Sequence, residues 1–85
     1  MIRTRKLADI RGELAERGLL EAVEAILAER HATFAETFGP GRRAHQVAAR
    51  RAVAGHLRGL GWSLSQVAAT MGFRDHTSAW YLLKE

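Results

Sequence analysis

At 85 residues the chain is one domain at most, with a modest core. Hydrophobic residues make up 47%, led by Ala, Leu and Val, which excludes disorder over most of the length. The absence of Cys excludes a disulfide framework and a Cys-based metal site. There is no apolar run near the roughly 18 residues of a membrane span and no signal-like start, so a cytoplasmic, nucleoid-associated protein without membrane contact is expected. The net charge of +4 is unevenly spread: residues 1–40 hold six Arg or Lys and seven Asp or Glu, whereas residues 41–85 hold seven and two, with three of the four His. A basic second half attracts nucleic acid or an anionic membrane, and a solvated Arg-rich surface is the plainer alternative.

Helical spacing runs through the chain, and strand-like alternation is absent. A first helix is predicted over Thr4 to Arg17, with Leu7, Ile10 and Leu14 on one face and Gly18 as its stop. A second is predicted as one continuous run from Leu20 to Phe38, with Leu20, Val23, Ile26, Leu27, Phe34 and Phe38 inward. Gly39-Pro40-Gly41 breaks the chain where the charge balance changes. A third helix follows from about Arg43 to Arg58, with Val47, Val53, Leu57 and Leu60 toward the core and Gly59 and Gly61 at its end.

The fourth helix opens on Ser63 with Gln66 three residues on, the spacing of a capping box. Its apolar positions are Leu64, Val67, Ala68 and Met71, and Gly72 supplies a left-handed closing residue. Phe73 and Arg74 make a turn, and Asp75 caps a fifth helix that buries Ala79, Leu82 and Leu83 and shows Thr77, Tyr81 and Lys84 outward. Trp80 is expected at a core edge and Trp62 over the loop before Ser63. His31 is expected at or near the surface, and His45 and His56 have no partners at ligand spacing, so no metal or other cofactor is expected.

Two short helices joined by a Gly-bearing turn have the form of a helix-turn-helix, whose second helix enters the major groove N-terminus first. Arg74, Asp75, His76, Thr77 and Ser78 place five consecutive hydrogen-bonding side chains at that entering end. Arg can fork onto guanine, His can donate to a base acceptor, Asp can accept from a cytosine amine, and Thr offers a hydroxyl and a methyl. Backbone amides around Ser65 and Thr77, at the two helix starts, can bind phosphate oxygens. A plain N-cap role for Asp75 is an equal alternative and does not exclude a base contact. No Gly-rich phosphate loop and no organised nucleophile is present, so no enzyme is expected.

Gly72-Phe73-Arg74-Asp75-His76-Thr77-Ser78 resembles the G-x-R-D-H-[ST]-[ST] signature of the DNA-binding domain, domain IV, of the bacterial replication initiator DnaA. Ser63-Leu64-Ser65-Gln66-Val67-Ala68 is similar to that family's S-L-x-x-I-G helix, and Val47 to Ala54 to its V-x-R-P-R-Q-I-A stretch. The resemblance covers residues 41–83. It implies an all-α fold of about five helices with a C-terminal helix-turn-helix of the DnaA domain IV, Trp-repressor-like type, with 1–39 as helical support for 41–85. It further implies double-stranded DNA as partner. Arg51 would touch phosphate or minor groove, Arg42 and Arg43 would reach minor groove or backbone, and Arg74 to Ser78 would read the major groove. Arg50 is expected as a phosphate contact, with ordinary helix surface the alternative for both Arg50 and Arg51, and Tyr81 and Lys84 are further contacts expected from their place on the exposed face. Ala49-Arg50 stands where the family has Arg-Pro, and Ala79-Trp80-Tyr81 where it has Val-Leu-His, so a different target site is expected.

No ATPase motif accompanies the domain, which points by analogy of architecture away from the initiator itself. The expected owner is a bacterial or phage-derived transcription regulator, such as a gene-transfer-agent or phage gene activator. The chain is then the N-terminal part of a longer protein whose remainder meets the transcription machinery, and no small-molecule substrate is expected. The alternatives are an initiator-like replication accessory factor and a helical protein-interaction module.

Overall fold

The computed structural model describes residues 6–39, 43–73 and 76–84, and within these the fold is all-α, with no strand. The helices are α1 (Leu7–Glu16), α2 (Leu20–Glu29), α3 (Phe34–Phe38), α4 (Ala44–Gly59), α5 (Leu64–Met71) and α6 (His76–Leu83). Six helices among the described residues replace the expected five, because the predicted run from Leu20 to Phe38 is broken. His31 adopts a left-handed φ of 53°. Thr33 then starts a new helix with a full capping box: its hydroxyl accepts from Glu36 N–H at 3.0 Å and its own N–H donates to Glu36 Oε1 at 3.0 Å.

One device closes four of the six helices. After α1, α2, α4 and α5 a left-handed residue stands at Gly18, His31, Gly61 and Gly72. In each case the following N–H reaches five residues back: Leu19 to Leu14 O, Ala32 to Leu27 O, Trp62 to Leu57 O and Phe73 to Ala68 O. This is the Schellman closure, in which the residue after the turn folds back over the helix as an apolar plug. Phe73 shows the result. It follows the turn, where the sequence places it, and is also core, 6% exposed.

α4 is the central element, packed against α2, α3, α5 and α6. Its inward stripe is Gln46, Ala49, Arg50, Val53, Ala54 and Leu57. Leu60, expected inward, is 52% exposed, since the helix ends at Gly59 and Leu60 turns out with the cap. Around α4 the core gathers Ile10 and Leu14 from α1, Val23 and Leu27 from α2, Phe38 from α3, Val67 and Met71 from α5, and Ala79 from α6. Each large buried aliphatic side chain contributes roughly 1.5–3 kcal/mol. Phe34 packs on the core edge, half-buried beside Phe38 at 4.5 Å between ring centroids. No helix of the described residues is long and apolar enough to cross a membrane.

Candidate nucleic-acid interface

α5 and α6 pack on each other more extensively than any other pair, and α6 also leans on α4. The start of α5 is fixed as the sequence predicts. Ser63 Oγ accepts from Gln66 N–H at 3.1 Å, and Ser63 N–H donates to Gln66 Oε1 at 2.8 Å. Its end is fixed by Gly72, at φ 80°, a conformation that costs a residue with a Cβ about 1–2 kcal/mol. α6 then docks through Ala79, which is fully buried, with Ser78, Leu82 and Leu83 partly covered.

The opposite face of α6 is open. His76, Thr77, Trp80, Tyr81 and Lys84 are all exposed. By helical spacing His76, Trp80 and Lys84 form one row, and Thr77 and Tyr81 the row beside it. Trp80, expected at a core edge, is 44% exposed and meets Tyr81 edge-on, with ring centroids 5.0 Å apart. Lys84 Nζ lies over both rings, 5.1 Å from Trp80 and 5.7 Å from Tyr81. The i, i+4 relation to His76 and Lys84 was the available sign that Trp80 belongs to this face. Arg74 and Asp75, with the cap expected of Asp75, lie outside the described residues, as does Arg42.

The two adjacent arginines of α4, both expected at phosphate, sit in different surroundings. Arg50 is only 3% exposed. Its Nε donates to Thr37 O at 2.6 Å, and its Nη2 to Gly39 O at 2.6 Å and Glu36 O at 3.3 Å. These are carbonyls at the C-terminal end of α3, where helices run out of internal donors. Arg50 is therefore an internal cap on the end of α3. Arg51 is half-buried, and its Nε donates to Leu82 O at 2.9 Å, tying α4 to the last turn of α6. Arg51, Ser78 and Tyr81 border an open groove of about 500 Å³ between α4 and α6, floored by Phe73 and Leu82.

Arg43 is exposed at the N-cap of α4, its N–H held by Gln46 Oε1 at 3.0 Å. Nearby, His45 Nε2 lies 2.8 Å from Glu36 Oε2. That hydrogen bond first, and the Thr33 amide second, hold the Glu36 carboxyl below its ordinary value. Ser65 is exposed in the first turn of α5. Thus Arg43, Ser65, His76, Thr77, Tyr81 and Lys84 are exposed, whereas Arg50 is withdrawn. Among the described residues no group of three or more His, Asp or Glu gathers as a metal site would require. No protein-family model, curated protein or solved structure matches this chain.

Proposed function

We propose that this chain binds double-stranded DNA in a sequence-specific way, with α5 and α6 as a helix-turn-helix and α6 as the reading helix. The observation that carries this is the division of α6. Ala79 and its neighbours anchor one side, while His76 and Thr77 stand exposed at the N-terminal end. A helix held by one flank with polar side chains on its leading turn has the form needed to meet base edges. The resemblance of residues 41–83 to the DNA-binding domain of the replication initiator DnaA supports the same reading, as does the basic balance of that half. The owner we favour is a transcription regulator of bacterial or phage-derived type.

Fluorescence anisotropy of a labelled duplex across a salt series tests binding itself. The logarithm of affinity should fall linearly with the logarithm of salt, with a slope of about −0.9 for each phosphate neutralised. Absence of binding at low salt, or affinity indifferent to salt, would contradict the proposal and favour a protein-interaction module.

A further inference from the structure

We infer that Trp80, flanked by Tyr81 and Lys84, is a specificity-determining contact that reads thymine methyl groups one helical turn behind the leading end of α6. This rests on the DNA-binding proposal above. An exposed Trp beside an exposed Tyr keeps apolar surface in water, and large side chains of this kind on a helix face mark a contact. Here the face is already assigned its occupant by continuity. Trp80 follows His76 by four residues in the same row, and Tyr81 follows Thr77 in the next. A helix presenting His76 and Thr77 to the major groove presents Trp80 and Tyr81 to the same groove.

Charge agrees with a polyanion as occupant. Lys84 Nζ is held over both rings, and the neighbouring groove is lined by Arg58, Leu64, Trp80, Leu83 and Lys84, with no carboxylate among them. What Trp80 can recognise follows from its chemistry. An indole face offers an apolar plane, and the one apolar group on a major-groove base edge is the thymine 5-methyl. Four residues of helix rise about 6 Å, close to two base-pair steps of 3.4 Å. The thymine should therefore lie about two base pairs from the position met by His76. Lys84, one further turn along, is placed for a phosphate beyond it.

The test uses a site enriched by the full chain from a randomised duplex pool. Each thymine is replaced in turn by deoxyuridine, which removes only the methyl. The wild-type chain should lose about fourfold in affinity at one or two thymines, the value of one buried methyl. Trp80→Ala should bind the enriched site more weakly and lose nothing further on replacement, while Trp80→Phe should keep part of the discrimination. Circular dichroism confirms that each variant is folded. Wild-type affinity in Trp80→Ala, or equal deoxyuridine losses in wild type and Trp80→Ala, would overturn the inference and leave this face to a protein partner. A pool that yields no enriched site would instead overturn the base-reading proposal on which the inference rests.

Discussion

A guanidinium at 3% exposure needs acceptors, and Arg50 finds them in three carbonyls, those of Glu36, Thr37 and Gly39, at the end of α3. The fork of Arg suits this, because one planar group reaches Thr37 O and Gly39 O at once. Removing it leaves buried carbonyls unmatched at roughly 1–3 kcal/mol each. Arg50→Met should therefore lower unfolding stability by about 3 kcal/mol or more in urea titration, and Arg50→Lys should fail to restore it. The salt slope of DNA binding by the folded variant should remain that of the wild type. A slope reduced by about one would mean that Arg50 touches phosphate after all. Its role was partly legible in the sequence. Arg50 lies on the stripe of Gln46, Val53 and Leu57, at spacings of three and four, so position pointed inward while residue type pointed outward. What the sequence could not display was the set of acceptors, which come from a helix eleven or more residues earlier. Trp80 is the reverse case. Its type suggested core, and its spacing from His76 and Lys84 pointed to the open face.

Element boundaries follow the same division between local and distant causes. Ser63 with Gln66, and Gly72 after Met71, act through the backbone within a few residues, and both form as the sequence predicts. The break between α2 and α3 also had a local sign, Thr33 with Glu36 three residues on, but the apolar spacing continued through it and no Gly marked the turn. His31 fills the left-handed place that Gly18, Gly61 and Gly72 fill elsewhere. His tolerates that conformation better than most residues with a Cβ, yet still at a cost. His31→Gly should raise stability by up to about 1 kcal/mol, the relief of strain being partly offset by the freedom Gly adds to the unfolded chain. Gly72→Ala should lower it by about 1 kcal/mol. Thermal unfolding checks both, and a destabilised His31→Gly would contradict the shared-closure account.

At the scale of the molecule, α1 to α3 are part of one structure with the basic half. Thr70 Oγ1 on α5 donates to Glu13 Oε2 on α1 at 2.7 Å, and the Arg17 guanidinium lies 4.9 Å from the Trp62 ring centroid. α4 joins the two halves, capping α3 through Arg50 and α6 through Arg51. Residues 1–40 carry a charge balance of −1 and residues 41–85 a balance of +5, a basic field of the kind the proposed DNA partner requires. The all-α class and the pairing of α5 with α6 were readable from spacing, caps and glycines. The use of α4 as a double cap was not, because it depends on carbonyls that only folding brings near. The central claim, that the stretch from Arg74 to Ser78 reads bases, is tested most directly by titrating wild type and Arg74→Ala against the enriched duplex and a scrambled duplex of equal length. The account predicts that wild type prefers the enriched site, and that Arg74→Ala loses about 1–3 kcal/mol there with little change on the scrambled duplex. Equal binding of both proteins to both duplexes would contradict it.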